Sequence, residues 1–480
     1  MLLYANDIEE EVLQANTAMA YATSDGAFYE LSTAGESITH KWDLTKDKPC
    51  LENGVEQYKT RYVIAYGNNT EASALYSAGD KARRIYVVSN INGKNTMQTF
   101  KENYSLLSVG KLDTSNSTNF SDMFKNCSSL QIISQLDTSK GTNFGAMFEK
   151  CYSLRKIPLI DTSSGTNFYQ MFYDCCSLQH IPLLDTISGI DFSYMFNNCR
   201  SLQIIQKLDT SNGQSFISMF SGCSSLRIIL LLDISKGTNF SSMFSSCSSL
   251  QTIPQLNTSN GTNFTYMFSV CSTLKSMPQL DTSNGTNFTY MFSNCKSLQG
   301  EISLNTSSGI HFSYMFNNCN ALEKVSLTDT SKCSNFRCMF ENCSNIKTIE
   351  TLDLRLCTNS GLMFSGCKKL ENLTLKNINY SIAIGSGTNY GHLLTLDSLL
   401  NTVKELWDNS TGTSTLTLTV GSANLTKLAD VYVKLVDITD EMRAEDEFID
   451  KKFPFVVCES TDEGAMLITE YVTSKNWQLA

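Results

Sequence analysis

A period of 24 residues runs through more than half of this chain and limits what it can fold into. Set in rows of 24 from Phe120, the sequence aligns over eleven rows without a gap. One column holds Met at every row, from Met123 to Met363, and each Met is followed by Phe. Four residues after each Met stands Cys, from Cys127 to Cys367. A Leu column from Leu130 to Leu370 is broken only by Ile346, and the opening Phe only by Ser360. Eleven rows without insertion or deletion mean that each row is one turn of the same geometry. A chain of 480 residues would otherwise be expected to hold about three domains; the repeat overrides that expectation.

The residue types predict the shape of a row. The stretch Leu250–Leu256 reads Leu-x-x-Ile-x-x-Leu and predicts a short strand. Asp follows in most rows, with Asn257 and Asn305 as exceptions. Gly fills its own column in eight rows, from Gly141 to Gly309, where a turn with positive φ is expected. The Phe-x-x-Met-Phe-x-x-x-Cys stretch has apolar groups at helical spacing and predicts one or two turns of helix or a 3₁₀ segment. A single row cannot bury its apolar face, but stacked rows can. The predicted fold class is therefore an α/β repeat solenoid, a leucine-rich-repeat-like right-handed stack of 24-residue coils. At about 4.8 Å per coil, eleven rows give a rod on the order of 50 Å long. Proline at Pro158, Pro182, Pro254 and Pro278 cannot donate to a ladder, so the strand is expected to stop near that column.

An open solenoid end exposes strand edges and needs a cap. Phe100, Leu106, Val109 and Leu112 keep register with the first full row, while Thr99 and Asn103 replace Met and Cys. That is a degraded first coil. The expected domains are an N-terminal α+β attachment domain at 1–95, the solenoid at 96–376 and a C-terminal capping module at 377–480. The N-terminal domain is expected to begin with an amphipathic segment from Ile8 to Leu13. In the C-terminal module a helix is expected over Asp397–Asp408 with Asp397 as its cap, a strand over Thr415–Val420 and a helix over Gly464–Ser474. The seven acids between residues 437 and 450 predict a solvated loop or helix.

The cysteine column has no metal-ligand spacing, and parallel Cβ vectors suit disulfides poorly. Buried structural thiols are expected, in keeping with folding in a reducing compartment. The Asp column reads as Asx turns and lacks the Gly-rich pattern of calcium repeats. None of the common catalytic signatures occurs, and neither a cofactor nor catalysis is expected. The net charge of -10 argues against nonspecific nucleic-acid binding, and there is no apolar run of about 18 residues to span a membrane. The one binding signal is aromatic. The site before Met is Tyr at Tyr194, Tyr266, Tyr290 and Tyr314, yet Asp122 and Gln170 occupy it elsewhere. A column that accepts Asp and Gln is expected at the surface. Tyr266, Tyr290 and Tyr314 then form a stripe about 10 Å long, suited to receptor binding; the plainer reading is that they cover the face as packing. A second candidate face carries Arg155, Arg227 and Lys275.

The row LDTSNGTNFTYMFSNCKSLQ, Leu280 to Gln299, resembles the BspA-type leucine-rich repeat of bacterial surface proteins: the Asp-Thr-Ser turn, Met-Phe, Cys and Ser-Leu are all present. The resemblance covers residues 100–375. The blocks TLTLTVGSANLTKLAD and YVTSKNWQLA are similar to the terminal module of such proteins in gut bacteria and their phages, with about 35 residues, Val431 to Ala465, between them. The resemblance implies adhesion or host-receptor binding and no catalytic residues. The N-terminus, MLLYANDIEEEVLQ, has no signal-peptide pattern. The first expectation is therefore a phage tail or fibre component in the virion, homo-oligomeric, docked to other virion proteins through residues 1–95 and presenting the solenoid to a host cell-surface glycan or protein. The alternative is a BspA-like adhesin at the bacterial cell surface, and a second alternative is a polysaccharide-degrading enzyme on a solenoid scaffold.

Overall fold

The computed structural model describes residues 96–480 except positions 105, 107, 110, 111, 113, 385–393, 410, 412 and 453; before residue 96 it describes the backbone of seven strands only. The Ile8–Leu13 segment lies outside the described residues. The chain forms two compact units, Met1–Lys236 and Gly237–Ala480.

The first unit opens with a sheet in the order Ile38–Asp43, Ala27–Ser32, Ala18–Ala22, Tyr62–Ala65, Arg84–Val87, Ser108–Val109, Ile132–Ile133. Pairing is antiparallel up to Tyr62–Ala65 and parallel from there on. Arg84 pairs with Ser108 and Ser108 with Ile132, so the 24-residue step already holds across residue 95. The degraded coil is in place, with the Phe100 ring stacked on Phe124 at 5.2 Å. The coils containing Pro158 and Pro182 have no strand, and pairing resumes only between Ile204–Ile205 and Ile228–Ile229. The second unit repeats the pattern. Its Pro254 and Pro278 coils lack strands, whereas Gly300–Leu304, Leu322–Leu327, Thr348–Asp353 and Asn372–Lys376 form a four-stranded parallel sheet. Strand length thus follows the loss of an amide to proline.

The Phe-to-Cys stretch differs from the expected helix. It is a run of i→i+3 turns, such as Met147 N to Phe144 O at 3.2 Å and Cys151 N to Phe148 O at 3.1 Å. Alternate amides point along the stack instead: Phe144 N donates to Asn167 O at 2.9 Å and Phe148 N to Met171 O at 2.9 Å. The switch between the two directions needs left-handed residues. The residue before Met has φ of 52° to 60° in all eleven rows, and the residue before Cys is left-handed too, as at Asn198, Gly222 and Val270. The Gly column behaves in the opposite way. Its residues are not left-handed; a Cβ on Gly213 would lie 2.4 Å from Phe216 Cζ, and one on Gly141 2.5 Å from Phe144 Cζ. Glycine is there because a phenylalanine ring lies against the backbone.

Met, both Phe columns and Cys are buried throughout. The Phe rings stack in files, as in Phe124–Phe148 at 5.5 Å and 2° and Phe268–Phe292 at 5.7 Å and 7°. A third file is polar. Thr138, Thr162, Thr258 and Thr306 are buried and donate their hydroxyls to the backbone carbonyl of the next coil's Asp at 2.6–2.7 Å.

In the C-terminal part the first helix spans Leu396–Lys404, and its cap is Thr395, which accepts from Ser398 N; Asp397 lies inside the first turn. Strands Ile382–Ala383, Leu416–Thr419 and Trp477–Leu479 pair in parallel. Helix Ile468–Ser474 occupies the end of the segment expected to be helical. The acidic segment forms helix Asp440–Glu445 and a short 3₁₀ turn. It is also tied to the last coils: Glu447 pairs with Arg355 at 2.7 Å, and the Arg355 guanidinium lies 4.4 Å above the Phe448 ring.

Candidate functional site

The tyrosine column sits on the left-handed residue that precedes Met. Tyr266, Tyr290 and Tyr314 have φ of 57°, 57° and 59°. Their amides donate to the next coil at Thr289 O, Ser313 O and Arg337 O, at 2.9–3.0 Å. With the backbone held in this way the following Met turns inward and the tyrosine outward. Tyr266 is 39% exposed, while Tyr290 and Tyr314 are half-buried. The rings stack face to face, 4.6 Å apart from Tyr266 to Tyr290 and 4.5 Å from Tyr290 to Tyr314, both at 6°. That is tighter than the buried Phe files. Arg337 Nε donates to Tyr314 Oη at 2.9 Å and closes the file. Burial first, then the neighbouring Tyr314 and Tyr266, push the Tyr290 phenol up, so it stays a neutral donor. The three residues named from the sequence are brought together as a stripe that is at once surface and packing.

The first unit holds an aromatic group that sequence reasoning missed. Tyr194 lies edge-on to Tyr169 at 6.0 Å and to Tyr173 at 6.4 Å. These three occupy three different columns of the repeat, and a search down one column does not find them. The second candidate face is also present in part, where Arg155 lines a shallow depression with Lys156 and His180.

The other candidate groups have structural roles. All sixteen described cysteines are free thiols. In the column, Sγ donates to a Phe carbonyl of the preceding coil, as from Cys127 to Phe100 O at 2.9 Å and from Cys271 to Phe244 O at 3.1 Å. Burial pushes the Cys223, Cys271 and Cys343 thiols up to about 12. The Asp side chains make Asx turns: Asp161 Oδ1 accepts from Ser163 N at 2.9 Å and Ser163 Oγ at 2.7 Å. The Ser139 hydroxyl and amide hold Asp137 below the usual carboxylate range, and Ser163 and Ser283 do the same for Asp161 and Asp281. Among the described residues no His, Cys, Asp and Glu group forms a metal-binding cluster, and no helix is long and apolar enough to cross a membrane.

Two structures with a similar fold are a leucine-rich cell surface protein from Faecalibacterium prausnitzii and a leucine-rich-repeat protein from Eubacterium ventriosum. The first is 18% identical, with 75% of this chain and 96% of that chain covered and a TM-score of 0.32. The second is 15% identical, with 76% and 87% covered and a TM-score of 0.26. No match was found among the curated proteins. The profile of the family described as "Mycoplasma protein of unknown function, DUF285" matches residues 94–204, 178–280 and 272–377. Those matches run through the whole repeat region and cover more than half of the chain, so this protein belongs to the DUF285 family of BspA-type leucine-rich repeats.

Proposed function

We propose that this chain is a binding protein displayed at a bacterial cell surface, an adhesin whose stacked tyrosines contact a host cell-surface glycan or protein. The observation that carries the proposal is the file Tyr266–Tyr290–Tyr314, fixed at 4.5–4.6 Å on a scaffold whose Phe, Met and Cys columns face inward. Rings already held in place lose little freedom on binding, and they offer flat apolar area with a hydroxyl at its edge. The family membership supports a surface role, and no catalytic step or cofactor is assigned. Burial raises the pKa of the column thiols and so slows their oxidation at a cell surface, because the thiolate is the reactive form.

Replacing all three tyrosines by Ser tests this reading. Ser218 and Ser242 already occupy the column, so the variant should fold and melt within a few degrees of the parent. Attachment to host cells should fall at least tenfold. Unchanged attachment would remove the stripe from the binding site.

A phage tail or fibre component, homo-oligomeric and attached to the particle through residues 1–95, is the second reading. The many free thiols favour it, since they suit assembly in a reducing host cytosol. Antibodies against the solenoid separate the two: labelling of intact bacteria supports the adhesin, and labelling of purified particles supports the virion protein. Turnover of host capsule polysaccharide would favour an enzyme over both.

A further inference from the structure

The first unit carries a groove of about 1400 Å³ beside the strand column. It spans the coils from Leu112 to Asp209. Four coil steps of about 4.8 Å give it a length of ~19 Å, which is about six extended residues.

Three of its residues are apolar where most other coils are polar. The column before the last buried aliphatic residue holds Gln135 at one end of the groove, Lys207 at the other and Gln255 and Gln279 in the second unit, but Leu159 and Leu183 in the middle of the groove; Leu231, beyond its end, is a third leucine in that column. The second residue after Asp is Ser in the other full coils up to Ser331, but Ile187 here. All three face out, with Leu159 65%, Leu183 60% and Ile187 48% exposed. In the second unit Gln255 Nε2 donates to Gln279 O at 2.7 Å, and so covers the backbone of this column. Leucine cannot do that. The amides of Leu159, Ile160, Leu183 and Leu184 also have no hydrogen-bond partner among the described residues, and Pro158 and Pro182 keep the strand segments of these coils from pairing. The groove therefore offers exposed leucines together with open backbone donors and acceptors.

Its rim is acidic. Asp137, Asp161, Asp185 and Asp209 stand in line along it, with Lys140 near Asp137 at one end and Lys207 beside Asp209 at the other. Asp137 and Asp161 are held below the usual range by their serine partners and stay ionised at neutral pH. A second copy of this chain is a poor occupant, because the chain has 47 acidic against 37 basic residues. A neutral sugar could donate hydroxyls to the carboxylates but would not neutralise their charge, whereas Lys or Arg would do both.

We propose that this groove binds an extended basic peptide segment, with apolar side chains against Leu159, Leu183 and Ile187, main-chain hydrogen bonds to the open coil backbone, and Lys or Arg against the Asp row. The site is independent of the tyrosine stripe.

The test uses the full chain and fluorescence anisotropy with three labelled probes: a blocked octapeptide of alternating Lys and Leu, its Glu and Leu counterpart, and a neutral maltooligosaccharide. The variants are Leu159→Gln with Leu183→Gln, and Asp161→Asn with Asp185→Asn. Other coils carry these residues at the same columns, so folding is not at risk. The Lys-Leu peptide should bind at one saturable site, at least tenfold more weakly to each double variant and more weakly at high salt. No binding to the parent, equal binding of the Glu-Leu peptide, or full binding to the leucine variant would overturn the proposal. So would oligosaccharide binding that is lost on Leu→Gln while the Lys-Leu peptide fails to bind, because the groove would then be a glycan site.

Discussion

Left-handed backbone usually belongs to glycine and asparagine, yet this repeat places two such residues in almost every coil. The column before Cys shows the preference, with Asn126, Asn198, Asn294, Asn318 and Asn342 and two glycines, Gly222 and Gly366. Lys150, Asp174 and Ser246 also stand in this column, and Val270 is its one β-branched residue, with φ of 63°. It stays there because its amide donates to Ser293 O at 2.7 Å, and that bond fixes the turn. The strain costs about 1 kcal/mol or more. Val270→Asn should therefore raise stability by about 1 kcal/mol, read from the urea midpoint at unchanged slope; a loss would show that the valine methyls are packing groups. The column thiols give a second expectation at this scale. Thiolate is the reacting form, and burial pushes Cys223 and Cys343 up to about 12. Labelling of the native protein by an aromatic disulfide at pH 8 should be confined to the more exposed Cys176 and Cys458 among the described cysteines. In denaturant all should react, and fast native labelling of the column would contradict its burial.

Within a coil, the fit between glycine and the Phe file is a stronger constraint than turn geometry. A Cβ on Gly213 would lie 2.4 Å from Phe216 Cζ and 3.0 Å from the Phe192 ring, and neither ring can move away inside its stack. Gly213→Ala should cost about 1–3 kcal/mol by overpacking, whereas a positive-φ glycine would have been expected to resist alanine through strain. Met243→Asp should unfold its coil by burying an unpaired charge, at several kcal/mol. Ser242→Asp next to it should cost little, since Asp122 occupies that column at φ 56°. Comparing the two melting temperatures checks the inward and outward assignment. The inward files were legible in the sequence because burial acts on residue type, and Met, Phe and Cys recur without a break. The turns were not legible as turns, because apolar groups at i, i+3 and i+4 fit a helix equally well. Only the Asn and Gly before Cys marked the difference. The threonine hydroxyl file was hidden for another reason: Thr after Asp reads as an ordinary turn residue, and its carbonyl partner lies 23 residues on. Tyr266, Tyr290 and Tyr314 were found because they share a column. Leu159, Leu183 and Ile187 were not, because they share a groove that exists only after stacking.

For the whole molecule, the unit of folding is the coil and not the domain. Each interior coil offers its neighbours on both sides the same carbonyls, rings and thiols, so its stability is close to a sum of repeated interface contributions. Removing one coil takes away one interface and brings its two neighbours into the same register. Deletion of Leu250–Thr273 joins Ser249 to Leu274, and Phe244 then meets Phe292 as it met Phe268 before. A deletion of 12 residues from Leu250 has a different effect. It sets Phe against the Asp turn and Met against the strand column, so that apolar side chains face water and the Phe carbonyls lose their thiol donors. The 24-residue deletion should give a protein that melts cooperatively within several degrees of the parent, with column thiols still protected from labelling. The 12-residue deletion should be insoluble, or soluble with all thiols open. Scattering and thiol counting on the two variants decide the matter. If both deletions behaved alike, burial could not depend on the 24-residue register, and the stack of equivalent coils would have to be abandoned.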